Sequence, residues 1–423
     1  MATDLAIKEP VLRWSARAHS IAEVEIELAR IWAGQDLATD VDGQPGRHIA
    51  ARTSVMNLVV IARRPELAER GAATIQALTG RHPSRTIVVQ PADPDGPSWI
   101  DARVEAHCVM PHEDAPETCA ETIHLKVGGE AGRHLAAVVT PLIIHDLPVT
   151  VWWPGEPPFT SRSAQDLLAA ADRLVVDGST WDGDGLTRLG EMAALVDSTD
   201  LAVSDFALVR QSRWREAIAS IFDDPDFLPY LRSLRRVAVT YATHEEAADE
   251  TASTNMVKPV YHVAWLMSQL GLTVVKPLAA VSASAAAVGR AKKAARDRCV
   301  GPVRHAAGRG MAATLSDGRS EVAVVVRPVT SPMPSGTTLR VELLAERRGS
   351  ELRADVTAEA ETVHVRVWQE GVEALDRHFL AARRGDVDLL AEAIEAGRRD
   401  GVALGSLRAA AALIGTPWGS ASR

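Results

Sequence analysis

A chain of 423 residues exceeds what one hydrophobic core usually serves, so two domains are expected. With 46% hydrophobic and 24% charged residues it reads as an ordinary folded protein, neither disordered nor fibrous, and its net charge of −9 argues against a nucleic-acid binder. No apolar run reaches membrane-spanning length, and the first ten residues lack a basic stretch followed by an apolar core; a cytoplasmic location without a membrane partner is the default expectation.

Residues 1–50 read as a helix on an arm: Ser20 and Glu23 form a capping-box pair, and Ile21, Val24, Leu28 and Ile31 recur at helical spacing. From Val55 to Ala62 an apolar strand follows, then an amphipathic helix from Pro65 to Leu78 and a second strand from Ser84 to Val89, the alternation of a parallel βαβ unit. Strand-like runs at Trp99–Val109 and Glu121–Val127 suggest an antiparallel addition. A helix from Glu130 to about Ile144 then leads into the strand ending in Trp152 and Trp153. Ser163 to Ala171 reads as a helix and Arg173 to Asp177 as a strand. Residues 51–180 are thus expected to form a three-layer α/β domain on a mostly parallel sheet.

Residues 181–423 are expected to form an α+β domain. Helices at Asp184–Val196 and Asp205–Phe222 precede a strand, helix and strand at Arg235–Tyr241, Val257–Leu270 and Leu272–Val275. Beyond residue 310 the apolar period becomes two, and Met311–Leu315, Glu321–Arg327, Thr338–Ala345, Glu351–Val356 and Thr362–Trp368 read as an antiparallel meander. Two closing helices, Asp386–Arg398 and Leu404–Leu413, are expected to pack on one of its faces.

Signatures that would specify a mechanism are absent: there is no G-x-x-x-x-G-K-[ST], H-E-x-x-H or G-x-S-x-G. Gly308 to Ala313 spells a partial G-x-G-x-x-A, but it precedes a strand where a dinucleotide site needs it to open a helix. His145 and Asp146 read as a helix-to-strand connection, and Ser204 and Asp205 as residues capping a helix. The basic run Arg290 to Arg298 reads as a solvated helix face. Three cysteines, an odd and small count, suit a reducing compartment. The gaps among Cys108, His112, Cys119 and His124 match no standard zinc finger, so no metal is expected; Cys108 and Cys119 are able to form a disulfide if their strands pair.

Two segments read as candidate binding surfaces. Val149 to Pro158 carries a β-branched run into Trp152, Trp153 and Pro154, at the strand end where open α/β sheets bind ligands; prolines 154, 157 and 158 stiffen the loop beyond the strand. Its tryptophans either cap the core or form a display rim. In the second, a continuous helix would put Arg210 and Trp214 on one face, with Arg215 beside them, Arg213 near Glu216, and Ile218, Ile221 and Phe222 on the apolar side.

Taken in order, His82 to Arg85, Val151 to Pro158, Asp172 to Asp177, Trp214 to Glu216 with Phe222 and Asp223, and Tyr261 to Leu266 with Gly271 resemble the OpcA family of glucose-6-phosphate dehydrogenase assembly proteins, over roughly residues 50 to 275. The resemblance implies a non-catalytic role without cofactor. Such a protein binds glucose-6-phosphate dehydrogenase, promotes its active oligomer and activates it allosterically at the entry to the oxidative pentose phosphate pathway. Trp152, Trp153, Pro154, Arg210, Trp214 and Arg215 are then the expected partner-binding residues. The competing reading is a sugar-phosphate binder or enzyme at the carboxyl end of the first sheet, with Arg85, Asp177 and Ser179 near a phosphate.

Overall fold

The computed structural model describes residues 11–33, 51–52, 54–109, 118–243, 254–281, 310–397 and 400–415. They fall into two compact units. The first comprises residues 1–177, 199–204 and 385–399, and the second residues 178–198, 205–384 and 400–423.

The first unit contains β1 (Val11–Ala18), α1 (Ile21–Ala33), β2 (Ala51–Arg52), β3 (Met56–Ile61), α2 (Pro65–Leu78), β4 (Ser84–Pro91), β5 (Trp99–Val109), β6 (Thr118–Gly128), α3 (Glu130–Arg133), α4 (Leu135–Val139), β7 (Val149–Trp153), α5 (Arg162–Leu168) and β8 (Arg173–Val176). After α6 (Leu186–Asp197), which belongs to the second unit, comes β9 (Ala202–Asp205). The sheet runs β1-β5-β6-β4-β3-β7-β8-β9, with β2 beside β6. From β6 to β8 every pairing is parallel, and β5 and β1 add on antiparallel.

Read from β6, the order places the first strand of the βαβ unit, β3, in the middle, with β4 and β6 to one side and β7 and β8 to the other. This is the doubly wound arrangement, and its connections reverse direction between β3 and β7. All six residues of β3 are buried, as a strand covered on both faces requires. Glu23 N–H donates to Ser20 Oγ at 3.2 Å and His19 N–H to Glu23 Oε2 at 2.7 Å, so Ser20 and Glu23 do start α1. The helix expected from Glu130 to Ile144 is instead α3, α4 and a 3-10 turn over Thr140–Leu142: His134 between them is non-helical (φ −118°, ψ 60°), and Pro141 cannot continue an α-helix.

The second unit holds α7 (Phe206–Val209), α8 (Ser212–Ile221), β10 (Leu234–Thr243), α9 (Val257–Leu270), β11 (Thr273–Val281), β12 (Gly310–Ser316), β13 (Glu321–Thr330), β14 (Thr338–Arg347), β15 (Ser350–Ala358), β16 (Thr362–Gln369) and β17 (Val372–Leu380). The last helices are α10 (Asp386–Glu395) and α11 (Gly401–Leu413). The second sheet runs β11-β12-β13-β10-β14-β15-β16-β17 and is antiparallel except for β10 against β13.

Four differences from the sequence expectation matter. The single helix Asp205–Phe222 is broken into α7 and α8 at Arg210 and Gln211. The expected meander is split, because β10 lies between β13 and β14 and pairs parallel with β13, and it gains β17, an edge strand exposed along most of its length. The helix expected to reach Arg398 ends at Glu395. The closing helices do not pack as a pair: α10 lies against α2 in the first unit, with Arg70 paired to Asp386, whereas α11 packs on α9 in the second.

Candidate functional site

The carboxyl ends of β3, β4 and β7 open into a cleft of about 270 Å³ at the point where the strand order reverses. Its walls include Arg63 after β3, Pro91 at the end of β4, Arg133 of α3, Trp153 at the end of β7, Pro158 beyond it, and Arg162 of α5. Arg133 is engaged by Asp95 at 2.6 Å and Arg162 faces Asp166 at 3.8 Å. Nucleotide-binding sheets place the phosphate on a glycine-rich turn between the first strand and its helix, because only glycine lets the backbone approach closely. Here the β3–α2 turn reads Ala62-Arg63-Arg64-Pro65-Glu66. It has no glycine, Pro65 opens the helix, and Glu66 adds a carboxylate to its first turn.

Trp152 and Trp153 do not form a display rim. They are 1% and 3% exposed, and Pro154 is buried as well. The reason is topological: β7 lies between β3 and β8, with Trp152 beside both Val60 and Val175 and Trp153 beside Val176. The core-capping alternative is what is found, with Trp153 contributing part of the cleft wall.

Arg85 is not near that cleft. It lies at the amino end of β4, where its Nε donates to Glu121 Oε2 at 2.6 Å and its Nη1 to the Leu142 carbonyl at 3.0 Å. Asp177 is buried and belongs to the first unit, and Ser179 belongs to the second. His145 and Asp146 form the connection into β7, with Asp146 at φ 67° and Asn57 holding the neighbouring backbone at Ile144 and Leu147.

In the second unit the break before α8 separates Arg210 from Trp214. Arg210 lies over the Phe206 ring at 5.7 Å and donates to Ser179 Oγ at 3.2 Å. Arg215 donates to the Leu208 carbonyl at 2.6 Å, tying α8 to α7. Trp214, half-buried, meets the His262 ring edge-on at 5.2 Å. Arg213 and Glu216 are exposed and paired at 2.7 Å, and Ala217, Ile218 and Ile221 point into the core.

At the start of α7 lies a network that the sequence reveals only in part. The N-cap of α7 is Asp205, one residue beyond the expected Ser204: it accepts from Ala207 N–H at 2.8 Å, and also from Gly178 N–H at 2.9 Å and from the Tyr261 hydroxyl at 3.0 Å. Burial, with Asp205 beside it, raises the Tyr261 hydroxyl well above its usual range, so it stays protonated and donates. Asn255 secures the same loop by donating to the carbonyls of Gly178 and Trp181.

Cys108 and Cys119 are direct partners across β5 and β6 and are joined by a disulfide, so neither offers a thiolate to a metal. His124 turns to Glu105 at 3.3 Å. His112, Cys299 and the basic run Arg290 to Arg298 lie outside the described residues. No described helix is long and apolar enough to cross a membrane.

A family profile described as the glucose-6-phosphate dehydrogenase subunit N-terminal domain, of the OpcA assembly family, matches residues 59–193. The putative OxPP cycle protein OpcA of Synechocystis sp. is 26% identical over 204 residues, 48% of this chain and 40% of that protein. Its namesake from Synechococcus elongatus is 23% identical over 203 residues, 48% of this chain and 43% of that one. The match therefore spans about two fifths of the length of these curated relatives. Among solved structures, an NAD binding oxidoreductase from Klebsiella pneumoniae superposes with a TM-score of 0.44 at 11% identity, over 86% of this chain and 97% of that one.

Proposed function

The chain carries an OpcA-family domain, and from that premise we propose that it acts without chemistry of its own, binding glucose-6-phosphate dehydrogenase and favouring its active oligomer. The observation that carries this reading is the glycine-free β3–α2 turn at the switch point of the first sheet. A dinucleotide-dependent enzyme needs its phosphate cradle there, and Pro65 and Glu66 supply neither close backbone approach nor favourable charge. Activation then comes from differential affinity: the protein binds the competent state of the dehydrogenase more tightly and shifts the equilibrium by that difference. Coupling of this kind typically amounts to about 1–3 kcal/mol, or about 5- to 150-fold. The outer face of α8, with Arg213 and Trp214, is the proposed contact surface; Arg215 ties that helix to α7, and Arg210, just before it, is bound to Ser179.

The test is a titration of glucose-6-phosphate dehydrogenase from the same source with this protein, with activity and complex mass followed together. Saturable activation with a larger complex supports the reading, whereas no complex at micromolar concentrations refutes it. A second reading is favoured by the arginines around the switch-point cleft: a small anionic metabolite such as a sugar phosphate bound there. Direct calorimetry with glucose 6-phosphate, and its loss in Arg63→Ala, distinguishes it.

A further inference from the structure

At the free edge of the second sheet, His364 of β16 and His378 of β17 are direct cross-strand partners whose rings stack 4.0 Å apart and nearly parallel, at 12°. Glu359, in the turn before β16, lies against one edge of both rings. Its Oε1 is 3.3 Å from His364 Nδ1 and its Oε2 is 3.4 Å from His378 Nδ1. Asp376 lies against the opposite edge, 2.9 Å from His364 Nε2. We propose that Glu359, His364 and His378 form a binding site for one divalent transition-metal ion of the zinc class, with solvent completing the coordination.

Three observations converge on this. The ligand atoms of the three residues lie within 4.8 Å of one another. Each Nδ1 lies 3.3 or 3.4 Å from its own Glu359 oxygen, near the about 3.4 Å between two tetrahedral zinc ligands; because the in-plane lone pairs of parallel rings do not meet at one point, the half-exposed His378 ring turns out of the stack to complete the site. The supporting shell is also present. Asp376 accepts from His364 Nε2–H, fixing the tautomer that leaves Nδ1 as a lone-pair donor, and the Thr362 hydroxyl donates to Glu359 Oε2 at 2.9 Å. With that tautomer, the Nδ1 lone pair points at carboxylate oxygens, so a cation belongs between them. One divalent ion held between the two Nδ1 atoms and the Glu359 carboxylate satisfies both nitrogens and the carboxylate together. His378 and Glu359 are about half exposed, which leaves an entry path and an open position.

The test uses tag-free full-length protein, stripped with chelator and titrated with zinc chloride by calorimetry and with cobalt chloride by visible absorption. Wild type is expected to bind one equivalent of zinc through this site and to develop the intense d–d bands of tetrahedral cobalt. The double variant His364→Ala/His378→Ala, with unchanged circular dichroism, should lose both signals. Asp376→Asn should retain the site but bind about 10- to 100-fold more weakly, because it withdraws only the supporting carboxylate. Zinc binding that persists undiminished in the double variant, or no zinc binding by wild type, overturns the assignment.

Discussion

The carboxylate of Asp205 accepts the hydroxyl of Tyr261 at 3.0 Å, both side chains being fully buried, and this bond joins the start of α7 to the middle of α9. Tyr261→Phe removes one donor and leaves Asp205 with Gly178 and Ala207, so a loss of about 1–2 kcal/mol is expected. Asp205→Ala strips a helix cap and a loop anchor as well and should cost more, about 3 kcal/mol or above. Urea denaturation of both variants checks the order; equal losses would show that Asp205 contributes nothing beyond its bond to Tyr261.

Gly178 belongs to the same network, because a Cβ there would stand 2.7 Å from Asp205 Oδ2 and 2.9 Å from Val257. Gly178→Ala is therefore expected to destabilise the second unit by about 1–3 kcal/mol through overpacking. Thermal melting decides it: an unchanged midpoint would mean that the loop yields freely.

His262 sets a pH dependence. It is 1% exposed, and neither ring nitrogen has a hydrogen-bond partner among the described residues. Burial, with Arg215 adding a like charge, pushes its pKa down to about 3, against about 6.5 in the unfolded chain. The unfolded state therefore takes up the proton first. This contribution to stability is complete above about pH 6.5 and is lost as pH falls toward 3, at about 1.4 kcal/mol per pH unit within that window. His262→Leu should flatten the acid limb of a stability-versus-pH curve while costing little at neutral pH, since no hydrogen bond is lost. An identical acid limb in wild type and variant would sink this account.

The disulfide between Cys108 and Cys119 spans a sequence separation of 11, so its cross-link restricts a short loop in the unfolded chain. The chain-entropy argument gives about 2–3 kcal/mol for a loop of this size. Wild type should lose that stability in dithiothreitol, and Cys108→Ser/Cys119→Ser should be indifferent to it. The β5–β6 ladder runs from Trp99 to Val109, so the reduced protein is expected to stay folded.

The sequence exposes some of this architecture because period and composition act locally. The βαβ unit, the cap on α1 and the alternating strands of the meander all follow from short-range patterns. Val372 to Leu380 is hidden for the opposite reason: an edge strand exposed on both faces has no face on which to alternate, and its pairing with β16 is what makes it a strand. The tryptophans mislead in a related way. Trp at a strand end reads equally as rim or core, and only the presence of neighbours on both sides of β7 decides for the core. The cluster of Glu359, His364, Asp376 and His378 is likewise invisible in sequence, because register across the β16–β17 hairpin assembles it.

Burial also separates the residues that the sequence offers as partner contacts. Trp153→Ala would open a void in the core of the first unit and cost about 3–5 kcal/mol, so its loss of function would report unfolding rather than contact. Arg213 is the cleaner probe: it is exposed on α8, and its pair with Glu216 at i,i+3 contributes only a few tenths of a kcal/mol. Arg213→Glu should leave the melting temperature within a degree or two of wild type. If α8 meets glucose-6-phosphate dehydrogenase, the reversed charge should also raise the half-activating concentration about tenfold or more, with most of the effect at low salt, as expected for a charge at an interface rim. Trp214→Ala should weaken activation further, accompanied by a measurable loss of stability from its lost contact with His262. Folded Arg213→Glu protein that activates at wild-type concentrations in low salt would remove α8 from the contact surface and direct the search to the first unit, where most of the family match lies.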